Sequence, residues 1–203
     1  MNELINPVTL VDRSFIFIIG FSFVFLCCIT AVMIYFVIRY RRSRNPVPSD
    51  IRGHTGLEII WTAIPTAIAL LMFISGWQSY AGLRTVPEDA LEIKVMAQSF
   101  TWIFVYENDK EVENELVVPV NRPIRLDISS LDVIHSLFIP AFRVKVDAVK
   151  GIKTYAWFLP EKTGEYFLQC TEFCGTGHAD MTGVVIVKSQ EEFDEWLEED
   201  DGW

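Results

Sequence analysis

The hydrophobic pattern divides the chain into two parts that cannot share one solvent. Residues 15–38 carry no charged side chain. As a helix this run is roughly 36 Å long, enough to cross a bilayer with some tilt. A second apolar run, residues 59–80, ends in Trp77 and Tyr80, residue types that settle at membrane–water interfaces. Pro65 lies inside it, and a spanning helix tolerates proline where neighbours satisfy the freed carbonyl. From Leu91 the pattern becomes short and strand-like. Residues 91–95 and 124–128 alternate apolar and polar, and residues 100–106, 154–159, 166–170 and 183–187 complete a set of short strands. Turn residues separate them at Asn108-Asp109, Asn121-Arg122-Pro123, Lys150-Gly151 and Lys162-Thr163-Gly164. Many short strands at this spacing predict a sandwich or barrel. A short helix closes the chain: Ser189 and Glu192 form a capping box, and Phe193, Trp196 and Leu197 fall on one face. The expectation is a tail and two-helix transmembrane hairpin in residues 1–84, then an all-β sandwich with a short C-terminal helix in residues 85–203.

Composition changes this picture little. Apolar residues make up 51% of the 203 residues and the mean hydropathy is +0.28, which excludes a disordered chain. Four Cys exclude a disulfide-dense scaffold. Charge adds more. The net charge of −10 argues against nucleic acid as a partner. It is also unevenly spread: residues 1–80 hold six Arg against four acids, and residues 81–203 hold 11 Lys and Arg against 23 Asp and Glu. The basic residues Arg39, Arg41, Arg42, Arg44 and Arg52 lie between the two apolar runs. The positive-inside rule puts that connection in the cytoplasm, with both termini and the acidic domain outside. A cleaved signal peptide competes for the first run, but it needs a basic start, and residues 1–12 contain no Lys or Arg. Cys27 and Cys28 sit mid-span, where a buried thiol packs and is inert. The acidic tail at 198–201 reads as solvated. Glu58 starts the second span and has two readings, a solvated edge or part of a proton path.

The chemistry concentrates in the outer domain. Cys170, Cys174, His178 and Met181 fall within twelve residues of sequence, C-T-E-F-C-G-T-G-H-A-D-M, and His135 precedes them. Gly175 and Gly177 prevent a helix there, so the segment is a loop able to fold around an ion. Three readings compete. A Cys170–Cys174 disulfide leaves both His and Met181 idle. A structural Cys₂His₂ zinc site leaves Met181 idle. One Cys, two His and a weak Met is the donor set of a single-copper electron carrier. The second thiolate here allows a pair of coppers to be bridged, each capped by one His.

At these residues the chain resembles cytochrome c oxidase subunit II. The resemblance covers almost the whole sequence: L-E-I-I-W-T-A-I-P in the second span, D-V-I-H-S-L-F-I-P around His135, V-K-V-D-A-V, and the full loop. It implies a cupredoxin-like Greek-key domain in which His135, Cys170, Cys174, His178, Met181 and the backbone carbonyl of Glu172 hold two copper ions, the CuA centre. It implies that the Glu172 carboxylate faces a Mg²⁺ or Mn²⁺ at the junction with subunit I, since oxygen suits such hard ions. Glu58 matches the glutamate at the mouth of a proton channel, and Asp132 a carboxylate on the face that docks cytochrome c. The family's G-H-Q-W-x-W reads Ala97-Gln98-Ser99-Phe100-Thr101-Trp102 here. Phe100 replaces the tryptophan at which electrons arrive, and Trp102 is kept. Phe100 is expected to be exposed near the loop, with Asp132 close by and Trp102 on the same face of a regular strand. The family's P-G-R reads Lys150-Gly151-Ile152.

The function implied is that of the electron-accepting subunit of a proton-pumping haem-copper oxidase. Its partners would be subunit I, other oxidase subunits, cytochrome c and membrane lipid, in a bacterial inner membrane in preference to a mitochondrial one. The net −12 of residues 81–203 would steer a basic donor. Three alternatives stand beside it: a copper-free quinol oxidase subunit, which the intact donor set disfavours; a subunit of a haem-copper nitric oxide reductase; and a membrane-tethered zinc or disulfide domain.

Overall fold

A computed structural model describes residues 6–47, 50 and 52–199. Two long helices come first, α1 (Pro7–Arg39) and α2 (Thr55–Arg84). Both overrun the predicted spans, because local caps and not hydropathy stop them. Asn6 accepts the Val8 amide through Oδ1 at 2.9 Å, directly ahead of Pro7, a favoured first helical residue. At the other end of α1, Asn45 Nδ2 donates to the Arg39 carbonyl at 2.8 Å. His54 caps α2, its Nδ1 accepting the Leu57 amide at 3.1 Å. Arg39 and Arg84 close the last turns, where cations meet the negative end of the helix dipole.

Contacts divide the chain into two compact units, Asp12–Tyr80 in one and the chain from Ala81 onward in the other, with the described residues before Asp12 joining the latter. In the first unit the apolar side chains point outward. None of the most apolar window of either helix is buried, an arrangement stable only in an apolar solvent. The hydroxyls of Ser14 and Ser79 share a hydrogen bond of 2.6 Å between the helices.

The second unit is a sandwich of ten strands: β1 (Leu91–Gln98), β2 (Thr101–Val105), β3 (Glu111–Glu113), β4 (Glu115–Pro119), β5 (Ile124–Ser130), β6 (His135–Ile139), β7 (Val144–Ala148), β8 (Thr154–Phe158), β9 (Gly164–Cys170) and β10 (Thr182–Lys188). One sheet has the order β3-β2-β1-β5-β8 and the other β4-β10-β9-β6-β7. β1 pairs parallel with β5 in the register Ile93↔Leu126 and Val95↔Ile128. Alternation sorts the side chains: Leu91, Ile93, Val95 and Ala97 are buried while Glu92 and Lys94 are exposed. They meet Leu126, Ile128, Leu137, Ile139, Leu168 and Val185 in one core, where full burial of each large side chain contributes about 1.5–3 kcal/mol.

The predicted closing helix is α3 (Gln190–Glu198). Ser189 Oγ accepts the Glu192 amide at 3.3 Å, and Glu192 Oε2 accepts the Ser189 amide at 2.9 Å. Phe193 is buried beneath it and Trp196 meets Tyr106 edge-on at 5.0 Å. Four strands were not among those predicted. β3 and β4 contain three Glu and are separated by Asn114 at a positive φ. β6 opens with two polar residues, His135 and Ser136, that are fully buried. β7 alternates Val144-Lys145-Val146-Asp147, a legible signal.

Candidate metal centre

The sheet register brings the donors to one end of the sandwich. β6 begins at His135 and β9 ends at Cys170, and the two strands run antiparallel with Leu137 opposite Cys170. The connection from β9 to β10 closes on itself where the Cys170 amide donates to the Met181 carbonyl at 3.0 Å. The Thr171 amide ties it to the Ser136 carbonyl at 3.0 Å. Gly175, at φ +137°, permits the turn that returns His178 toward Cys174.

The donor atoms converge. Nitrogen of His135 and the Sγ atoms of Cys170 and Cys174 all lie within 4.8 Å of one another. The two Sγ atoms are 3.9 Å apart and both thiols are free. Cys174 Sγ is 3.5 Å from His178 Nδ1 and 3.8 Å from Met181 Sδ. Cys170 Sγ is 3.3 Å from the Glu172 carbonyl oxygen. All six side chains or carbonyls singled out in the sequence therefore stand in one cluster around the sulfur pair.

Its electrostatics disfavour a thiolate that has no cation beside it. Burial, then the neighbouring Cys170, pushes the Cys174 thiol up to about 11. Adjacent thiolates need positive charge between them. His135 Nδ1 is buried with no hydrogen-bond partner, an orphaned lone pair that a metal would satisfy. Its other nitrogen, Nε2, lies 2.8 Å from Asp132 Oδ1. A metal-bound imidazole is held this way, by a carboxylate on the far nitrogen. Partial burial raises Asp132, but hydrogen bonds from Ser99, His135 and Val133 outweigh it and hold the carboxyl well below the usual carboxylate range. Soft sulfur and imidazole donors, one of them orphaned, fit copper.

Other predicted residues lie nearby or apart. Phe100 is beside the loop but half-buried, not exposed as expected. Its ring covers Gly175 and Gly177: a Cβ on Gly175 would come within 3.0 Å of it and one on Gly177 would overlap it. Phe100 precedes β2, so strand alternation does not relate it to Trp102. Trp102 is fully buried, its ring 6.2 Å from that of His135. The exposed Glu172 side chain has no second carboxylate grouped with it among the described residues. Glu58 belongs to the helical unit, in the first turn of α2. Sequence reasoning missed the Asp132–His135 contact, although the i, i+3 spacing of D-V-I-H was visible. It also missed Ser99, whose amide and hydroxyl both donate to Asp132 Oδ2, at 2.8 and 2.6 Å.

Comparison with known proteins decides the family. The model of the cytochrome c oxidase subunit II periplasmic domain matches residues 95–189, and that of the transmembrane domain matches residues 6–78. The chain belongs to the cytochrome c oxidase subunit II family. The cytochrome c oxidase subunit 2 of Cereibacter sphaeroides is 30% identical over 89% of this chain and 74% of its own length. That of Zea mays is 30% identical over 86% and 80%. A probable cytochrome c oxidase subunit 2 of Rickettsia felis is 32% identical over 85% of this chain, which spans only 64% of that protein. Among solved structures, the periplasmic domain of subunit II of cytochrome oxidase from Bradyrhizobium japonicum is similar at 36% identity. The match covers 56% of this chain and 95% of that one, with a TM-score of 0.54. A second structure, a mixed-disulfide intermediate between a thioredoxin-like protein and a subunit II domain, matches at 37% identity over 56% and 93%, TM-score 0.51. A subunit II chain is a membrane-anchored part of an oxidoreductase complex, and its family binds copper as CuA. Two apolar helices and a ten-strand sandwich are what that family predicts.

Proposed function

We propose that this chain accepts electrons one at a time from reduced cytochrome c and passes them to haem in subunit I of a proton-translocating oxidase that reduces O₂ to water. The observation that carries the reading is the second thiol: Cys170 Sγ lies 3.9 Å from Cys174 Sγ, with a His135 nitrogen within 4.8 Å of both and His178 Nδ1 3.5 Å from Cys174 Sγ. His135, Cys170, Cys174, His178, Met181 and the Glu172 carbonyl would hold the CuA copper pair, which when bound supplies reversible one-electron chemistry spread over two metals. The chain's own part is to place and insulate these donors. Met181, fully buried, keeps water from one side, and Trp102 packs against the His135 ring. Asp132 holds His135 and, with its side chain 33% exposed, also presents negative charge to a basic donor. Phe100 would lie on the path by which electrons arrive.

Glu58 would admit protons toward subunit I, and the Glu172 carboxylate would offer an oxygen to a Mg²⁺ or Mn²⁺ at that junction. The arginine-rich connection would face the cytoplasm and the copper domain the periplasmic side of a bacterial membrane. The thiols must be reduced before they take metal, and a thioredoxin-like reductant of the kind captured in mixed disulfide with the related domain would serve Cys170 and Cys174.

The test is metal content. The full chain in detergent, reconstituted with copper, should hold two coppers, turn purple and absorb in the near infrared. One copper per chain, or zinc alone, would overturn the reading. In the assembled oxidase, Glu58→Gln should slow turnover and leave the copper spectrum intact; unchanged turnover returns Glu58 to a solvated helix edge. Consumption of NO in place of O₂ by the assembled complex would select the nitric oxide reductase reading.

A further inference from the structure

We propose that Ser99 and Phe100 are positioning residues for the metal ligands, a clasp joining the strand-borne His135 to the glycine-rich stretch between Cys174 and His178. The consequence for copper rests on the function proposed above, but the contacts belong to the chain itself. On one side, Ser99 donates twice to Asp132 Oδ2, from its amide at 2.8 Å and its hydroxyl at 2.6 Å. The other oxygen of Asp132 meets His135 Nε2 at 2.8 Å. The carboxylate is thereby fixed between two elements and holds the imidazole by Nε2, leaving Nδ1 buried without a partner in a ring that has a nitrogen within 4.8 Å of both thiols.

On the other side, the next residue, Phe100, lays its ring against the backbone of Gly175 and Gly177. Gly175 needs to be glycine for its φ of +137°. Gly177 does not: its φ of −91° and ψ of 10° form a turn conformation open to any L-residue. What the missing side chain at 177 makes room for is the Phe100 ring. A glycine-rich linker between two ligands is costly to order. The ring supplies packing at Gly175 and Gly177 that glycines cannot supply, so Cys174 and His178 are preorganised before metal arrives.

The contact makes a reciprocal test possible with the full chain in detergent. In the metal-free chain, Phe100→Ala should speed alkylation of Cys174, resolved from the other thiols by peptide mass spectrometry, by on the order of tenfold, the factor that matches losing part of a ring's burial. In the copper-loaded chain it should speed copper loss to a chelator by a similar factor and shift the near-infrared band. Gly177→Ala should do the same, because its Cβ displaces the ring. The double variant should recover toward the wild type, since the new methyl occupies the space the ring has left. Ser99→Ala should shift the reduction potential of the copper centre while leaving Cys174 alkylation within twofold. Alkylation in Phe100→Ala within twofold of wild type, or strictly additive effects in the double variant, would overturn the clasp. If the wild type takes zinc or one copper, the dicopper reading falls, and the alkylation measurements still decide the clasp.

Discussion

The chain places its four cysteines in two pairs, one in each unit, and they share nothing but the residue type. Cys27 and Cys28 stand exposed on α1, in a helix whose apolar surface faces outward. Cys170 is buried at the end of β9 and Cys174 is half-buried in the loop after it, with His135, His178 and Met181 within reach. The same contrast runs through the apolar residues. Leu70 is 58% exposed on α2, while Leu126 is fully buried on β5. In the helical unit the solvent is expected to be lipid, so a thiol or a leucine there is merely another apolar surface. In the sandwich the side chains are each other's solvent, and position decides what a residue does.

The contrast breaks most sharply at the metal. Cys170→Ser should abolish two-copper loading and its near-infrared absorption, whereas Cys27→Ser and Cys28→Ser should leave copper content unchanged within error. Copper loss in the Cys27→Ser chain would show that the hairpin contributes to the centre. Next in size is packing. Leu126→Ala should destabilise the sandwich by about 2–5 kcal/mol in denaturant unfolding followed by tryptophan fluorescence. Leu70→Ala should move the same transition by no more than about 0.5 kcal/mol. Equal effects would mean that the hairpin's leucines are packed against protein.

A smaller effect is expected at Met181, because a thioether would bind copper weakly and tune the site more than hold the metal. Met181→Leu, nearly equal in volume, should retain two coppers and change the reduction potential in redox titration. Loss of copper there, with retention in Cys170→Ser, would reverse the ligand roles. The smallest effect concerns the cap of α3. The amide and hydroxyl of Ser189 donate to Glu192 and hold its carboxyl below the usual value. A carboxyl depressed on folding stabilises the helix above its unfolded value near 4.3, and that contribution fades as pH falls through the lower folded value. Emission from Trp196 should therefore report fraying of α3 in acid, and Glu192→Gln, whose amide oxygen still accepts from Ser189 but does not titrate, should lose that pH dependence. A pH-independent signal in the wild type would place the helix's stability in Phe193 alone.

Much was legible along the chain. The apolar runs announced both helices, because a spanning segment must satisfy its backbone within itself and cover itself with apolar side chains. The alternation at 91–95 and 124–128 gave strands with the correct buried face, since each side chain's direction follows from its parity. The capping box of α3 is a four-residue signal and formed as read. The spacing of Cys170, Cys174, His178 and Met181 is local too, so the sequence itself named the candidate donors and pointed to the family. Tertiary structure decided the rest, because it depends on which distant segments share one end of the sandwich. β6 opens on buried polar residues that no alternation could flag, yet its register with β9 carries His135 to Cys170. Asp132 is three residues from His135, but only the fold turned its carboxylate back onto the ring and brought Ser99 to its other oxygen. Phe100 was read as a surface aromatic. Its burial follows from two glycines more than seventy residues away, whose missing side chains left it the space.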